Sequence, residues 1–519
     1  MNPPRADPVN RMTKLVPQTL AAALALGLAG PATAADWMQW GYDASHMAYN
    51  PAETALGAGN VAQLQQSWSV TMTPYVDAAP VFLSGVSTDE GTKDLLFVFG
   101  VSDFYDSPGS NETGTLTAYD AMTGASVWSE TTSGSGGHAS SSPAIDPDRQ
   151  YVYSAGQDGK VHKYHVGNGQ EVTGGGWPVT VTLKPDQEKI ASALTIAPTP
   201  SGTFLYAVTN GYNGDGGDYQ GHLVAINLAN ASTRVFNAMC SDQTALIDEG
   251  GCPTGRMSGI WGRPGATWDA ATGRVYVTTG NGDFDILTGG TNWGDSVLAL
   301  NPDGSGSGGG FPVDSYTPNN YDQLDNTDAD LGSISLAIAP APTGSNIAHL
   351  GVQSGKDAML RLLDLDDLSG QGGPGNAGGE LDLISVPQGP WGMNAQPAIW
   401  ANGDTTWVYV TSYYNIAAIK IMPDDNGQPQ FTPSWQKSAD AMSAVVANGV
   451  VYYADNLKLK AVDAVSGNPL WQSPTISGTF HWQSPIVVNG AVYYATSQRL
   501  VKFALPAGDP IFANGFDGS

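Results

Sequence analysis

The run Asp325-Asn-Thr-Asp328-Ala-Asp330 sets three carboxylates just ahead of the segment Leu331 to Leu336. Carboxylates so placed can take a proton as a general base or hold a hard cation. Read by local sequence alone, they are a solvated acidic loop, and they lack the glycine and glutamate spacing of an EF-hand. Upstream, MSGIWGRPGATWDAATGRVYVTTGNGDF (Met257 to Phe284) carries Trp261 and Asn281. An indole offers a broad π face, and an amide oxygen is a hard neutral donor suited to Ca²⁺. By local sequence alone, Trp261 is a packing residue and Asn281 part of a Thr-Gly-Asn-Gly turn. Lys356, in QSGKDAMLRLLDLDD, is a cation able to stabilise developing negative charge. Asn394, in GMNAQPAIW, is an amide before a proline-led strand that can also satisfy loop backbone.

The chain has two cysteines, Cys240 and Cys252, with 11 residues between them. In an oxidising compartment they are expected to form a structural disulfide contributing about 3 kcal/mol by chain entropy. They lack the CxxC spacing of a redox or metal pair and have no nearby histidine. No CxxCH occurs anywhere, which excludes covalent c-type haem. Neither a nucleophile elbow nor HExxH is present, so hydrolase chemistry has little support.

The elements that must position these residues recur. Eight short apolar stretches read as equivalent strands: LLFVFG from Leu95, YVYSAG from Tyr151, FLYAVT from Phe204, RVYVTTG from Arg274, IAHLGVQSG from Ile347, WVYVTS from Trp407, VVYYAD from Val450 and AVYYAT from Ala491. A small residue and usually a proline opens each unit, and a further strand follows, often ending in an Asp/Asn-x-x-x-Gly turn. Outer strands such as SVW (to Trp128) and PLW (to Trp471) complete several units. The last unit, from Ser484, lacks an outer strand, whereas QQSWSV, ending at Val70, precedes the first unit without inner strands of its own. An all-β, eight-bladed propeller of four-stranded blades, closed by an N-terminal strand, accounts for both facts and hides all but short strand edges. A β-sandwich array is the alternative.

Composition agrees with a turn-rich all-β chain: 65 Gly and 34 Pro in 519 residues, with only 13% charged. A closed propeller is one domain at this length, because no blade buries a core alone. The first 34 residues read as a processing signal, with basic Arg11 and Lys14, an apolar run from Leu20 to Ala29, and Ala32-Thr33-Ala34 before the expected cleavage. Residues 35–505 are then the propeller and 506–519 a flexible tail. Cleavage takes the formal charge from -27 to about -29, which disfavours nucleic acid and anionic lipid as partners. No later segment has the roughly 20 apolar residues of a membrane span, and the mature protein is expected to be periplasmic or secreted.

These repeats resemble the pyrroloquinoline quinone (PQQ) repeat propellers over essentially the whole mature chain, and Trp37 to Trp68 is similar to that superfamily's opening segment. The superfamily includes PQQ-dependent alcohol dehydrogenases, polyvinyl alcohol dehydrogenase-like enzymes and cofactor-free assembly scaffolds, so the resemblance implies the fold and leaves these functions open. The dehydrogenase resemblance implies that Trp261 stacks on PQQ, that Asn281 ligates Ca²⁺ and that Asp328 is the catalytic base, or Asp330 in a shifted register. It also implies that Lys356 and Asn394 contact the quinone. A metal carboxylate comes from Asp218 or Asp215, in NGYNGDGGDYQGHL, where those enzymes have a glutamate. His138, His481 and Trp482 occupy repeat positions at the channel mouth. The chain departs from that pattern in having Thr327 for a tryptophan, Gln220 for an arginine opposite the PQQ carboxylates, and no adjacent cysteines. An enzyme of this kind oxidises an alcohol and passes electrons to a separate acceptor; a scaffold instead binds an envelope protein.

Overall fold

The computed structural model describes Met1 and residues 35–102, 112–137, 141–212, 214–386, 395–478 and 482–506. Contacts divide the chain into Met1–Ala34 and Ala35–Ser519. Apart from Met1, the first unit lies outside the described residues, as do Asn394, His138, His481 and the tail from 507.

Eight four-stranded antiparallel blades form a ring, an eight-bladed β-propeller, and Tyr49–Asn50 adds a fifth, parallel strand to the inner edge of the blade that begins at Val445. Blade 1 consists of Val81–Thr88, Gly91–Val101, Thr113–Asp120 and Ser126–Ser133, paired in that order from axis to rim. The innermost strands of blades 2 to 7 begin at Ala144, Thr195, Thr267, Ala337, Ala398 and Val445. Blade 8 takes Ile486–Val488, Ala491–Ala495 and Arg499–Ala504 from the C-terminal end. Its outermost strand is Gln65–Thr71, which pairs antiparallel with Arg499–Ala504 and closes the ring as the repeat pattern expects. All eight second strands anticipated from the sequence are second strands of blades.

Neighbouring blades are locked by a recurring contact whose cause is local. The Asp120-x-x-x-Gly124 turn reverses between third and fourth strands, with Asp120 Oδ1 accepting from Met122 N–H at 2.8 Å and Gly124 at φ +76°. The outer-strand Trp68 of blade 8 lies on that turn, so close that a Cβ on Gly124 would meet the indole at 2.9 Å. Trp128 repeats the contact on Gly169, and Trp435 on Gly467, where a Cβ would come within 2.6 and 2.7 Å. Each indole N–H donates into the turn it covers: Trp68 to Ala121 O at 3.3 Å, Trp128 to Val166 O at 2.9 Å, and Trp435 to Ala464 O at 3.1 Å. Glycine is required twice over, for its positive φ and for the approach of the ring.

The segment Trp37 to Asn50 has a role that its sequence does not announce. It bonds to the second residue of the innermost strand in seven blades. Backbone bonds join Trp37 to Phe82, Met38 O to Ile145, Ala44 O to Trp268, Met47 O to Ile399 and Ala48 O to Val446. The Gln39 side chain bonds Ile196, and Asn50 Nδ2 donates to Val487 O. The segment thereby satisfies inner strand edges that would otherwise be unpaired in the core. Buried His46 holds it further, bonding Trp40 O, Thr195 Oγ1 and Ala266 O at 2.9–3.0 Å. Its flanks meet the end of the ring where first and second strands turn, through Ala35 with Asn489 and Asn448 with Leu56 O. The candidate chemistry lies at the opposite end.

Candidate functional site

Alternation of antiparallel strands puts two loop sets at one end of the ring: those leading into first strands and those joining second to third strands. Trp261 and Arg263 lead into blade 4, Asp328 and Asp330 into blade 5, and Lys189 into blade 3. Asp215, Asp218 and Gln220 lie between second and third strands of blade 3, Asn281 and Asp295 in blade 4, and Lys356 in blade 5.

Asp328, Asp330, Lys356, Asn281 and Asp215 come together. Lys356 Nζ bridges two carboxylates, at 2.5 Å from Asp328 Oδ1 and 2.6 Å from Asp330 Oδ1. Asn281 Nδ2 donates to Asp215 Oδ2 at 2.9 Å and Asp328 Oδ1 at 3.2 Å. Asp328 follows the helix Tyr321–Thr327 in the left-handed region (φ 51°), which Asp tolerates, and its carboxylate is 60% exposed. Asp330 is 3% exposed. A Cβ on Gly280 would lie 2.8 Å from Asp330 Oδ2 and 3.1 Å from Trp261 Cδ1, so the buried carboxylate and the indole edge share one cradle. Tyr219 meets Trp261 edge-on at 6.0 Å and donates to Asp215 Oδ1 at 3.0 Å.

The electrostatics are unbalanced. One ammonium, that of Lys356, pairs with Asp328 and Asp330, while Asp215 and Asp295 interact electrostatically with Asp330. Burial pushes the Asp330 carboxyl up to about 6 despite Lys356, with Asp328 and Asp215 adding to the rise. Burial and then the charge of Asp330 push Asp295 well above the usual range. Burial would depress Lys356, but Asp330 and Asp328 outweigh it and hold the ammonium charged. Asn281 Oδ1, Asp295 Oδ2 and Asp330 Oδ2 are buried without a hydrogen-bond donor. As folded, no group of three or more Asp, Glu, His or Cys side chains among the described residues is placed to hold a metal ion, and the Asn281 amide turns its NH₂ rather than its oxygen toward Asp215 and Asp328. The indole edge beside this cluster fits a planar partner.

Asp218 is not brought to this cluster. Its carboxylate accepts from Gly250 N–H at 2.7 Å and from Gln220 Nε2 at 3.0 Å, and Asp215 is the residue that reaches Asn281. Gln220 is backed by Lys184, which contacts its Oε1 and pairs with buried Glu188 at 3.1 Å. That ion pair is internally neutral, so it does not restore the charge of a missing arginine. Trp482 stacks on the Arg263 guanidinium at 4.0 Å, and Arg263 also pairs with Asp77 at 2.8 Å. Cys240 and Cys252 form the expected disulfide, with Cα atoms 5.9 Å apart. Sequence reasoning missed Asp295, Tyr219, Lys189 and Arg263. The one signal was their position, just before a strand or beside Trp261.

Residues 66–252 match the family model described as outer membrane protein assembly factor BamB. The quinohemoprotein alcohol dehydrogenase from Comamonas testosteroni superposes with a TM-score of 0.63 at 17% identity, covering 92% of this chain and 81% of that one. A europium-containing methanol dehydrogenase superposes at 0.64 and 14% identity, covering 91% and 98%. At such identities the likeness is one of fold. No curated protein sequence matches the chain. With its eight blades in a ring, the chain has the eight-bladed β-propeller fold of these dehydrogenases.

Proposed function

We propose that this propeller is a quinoprotein alcohol dehydrogenase, with PQQ on Trp261 and Ca²⁺ among the acidic residues beside it. The observation that supports the reading is the cluster beside the Trp261 indole, in which Lys356 bridges Asp328 and Asp330 and Asn281 joins Asp328 to Asp215. Asn281, Asp215 and Asp330 would hold the cation; Trp261, Lys356 and Asn394 would hold the quinone. When bound, PQQ would supply the hydride acceptor and Ca²⁺ a Lewis acid. Asp328, the exposed carboxylate of the pair on Lys356, takes the hydroxyl proton. Buried Asp330 keeps Lys356 in place. We further assign 1–34 as a leader, 35–505 as the propeller and 506–519 as a tail. The working compartment is then the periplasm or the exterior, in keeping with the disulfide.

A second reading, a non-catalytic scaffold with an envelope protein partner, is favoured by the family model over 66–252. Dye-linked oxidation of simple and polymeric alcohols, after reconstitution with PQQ and Ca²⁺, separates the two. Turnover dependent on both supports the dehydrogenase; none with any alcohol supports the scaffold.

A further inference from the structure

Beside Trp261 lies a positive centre that the mechanism above does not use. Glu188–Lys189 pairs with Asn210–Gly211 in a short ladder at the lead-in to blade 3, which fixes the lysine backbone. Its Nζ lies 5.5 Å from the Tyr212 ring centroid and 5.8 Å from that of Trp261. Among the described residues it has no ion-pair partner and no hydrogen-bond acceptor. The neighbouring guanidinium of Arg263 is balanced by Asp77 at 2.8 Å, so the ammonium is surplus charge. The charges acting on Lys189 are those of Arg263 and Asp77, not those of the four clustered carboxylates. The indole thus has an acidic cluster near its edge and the Lys189 ammonium over its ring, and a ring compound lying on it meets both.

We propose that Lys189 binds a carboxylate of a planar aromatic acid stacked on Trp261, so that the site selects an anionic ring compound over its neutral counterpart. This rests on the stacking role of Trp261 proposed above. A carboxylate would supply the acceptor and counter-charge that Lys189 lacks, in a setting where charge-assisted bonds are strong. Burial, and then Arg263, pull the ammonium down to about 7 against the opposing charge of Asp77. Tyr212 and Trp261, the other groups facing it, add no charge, because burial raises the Tyr212 phenol further. Above pH 7 the free amine must take a proton from solvent when the carboxylate arrives. Affinity is then flat below about pH 7 and falls about tenfold per pH unit above it.

The test titrates PQQ and its trimethyl ester into the mature protein with Ca²⁺ present. Tryptophan quenching gives affinity, and calorimetry in HEPES and Tris gives proton uptake. The proposal expects PQQ to bind about tenfold or more tighter than the ester, with proton uptake at pH 8. Lys189→Met should lose that preference and the uptake while binding the ester normally, which also shows that the variant is folded. Lys189→Arg should keep the preference without the uptake. Equal binding of PQQ by wild type and Lys189→Met overturns the assignment but leaves the stacking intact. Failure of wild type to bind either compound overturns both.

Discussion

Asn281 Nδ2 donates to Asp215 Oδ2 at 2.9 Å, tying together the second-to-third strand loops of blades 3 and 4. The same NH₂ group reaches Asp328, so the amide acts as a neutral donor between two carboxylates. A cation at this point would reverse the preference, drawing the amide oxygen inward.

Metal binding should therefore depend on Asn281. Calcium added to chelator-treated protein is expected to raise the unfolding free energy by about 2.7 kcal/mol at a hundredfold excess over Kd. Asn281→Ala should lose most of that increment in calorimetric scans. Equal stabilisation of both proteins would place the calcium elsewhere on this acidic chain.

Asp328→Asn should lower alcohol oxidation by roughly 10²- to 10⁴-fold, the usual contribution of a general base, with quinone affinity nearly unchanged. The variant keeps the shape and the bond from Asn281 while losing the proton acceptor. Steady-state kinetics beside a binding titration makes the check, and retained turnover rejects the role.

Asp330 makes a pH signature. Its folded value of about 6 lies above the ordinary aspartate value of about 4, so the native state holds a proton that the unfolded chain releases between them. In metal-free protein this group's contribution is greatest below about pH 4, falls as pH rises to about 6, and is lowest above that. The loss is about 3 kcal/mol, because each tenfold difference in proton affinity between the two states is worth about 1.4 kcal/mol. Urea unfolding of wild type against Asp330→Asn at pH 5 and 7 reads it as a difference. Wild type should gain on the variant at pH 5; parallel profiles would show that Asp330 stays ionised.

The blades were legible because their signals are local: apolar alternation, and Asp-x-x-x-Gly turns such as Asp120 to Gly124. The closing strand was legible because Gln65 to Val70 lacked neighbours of its own. The Trp37 to Asn50 segment was not, since its partners run from Phe82 to Val487 and its own strand is only Tyr49–Asn50. Within the site, the loop Asn210 to Leu223 offered Asp215 and Asp218 at similar reach, and only folding shows that Gly250 and Gln220 occupy Asp218. Arg263 and Asp77 are 186 positions apart, beyond any pattern of spacing.

The blade lock predicts stability. Trp128→Ala removes a half-buried ring from the Gly169 turn and its bond to Val166 O, and should cost about 3 kcal/mol. Thermal unfolding should shift down without loss of quinone binding at low temperature. An unchanged midpoint would mean that the turn holds without the ring.

Trp261 and the adjoining acidic cluster are proposed to form one quinone and cation site. The most direct test of that proposal is calorimetric titration of metal-stripped mature protein with PQQ, with and without Ca²⁺, repeated on Trp261→Ala. Binding should be micromolar or tighter, require Ca²⁺ and weaken at least tenfold in the variant. Absence of binding to wild type in either condition would contradict the proposal and leave the scaffold as the working function.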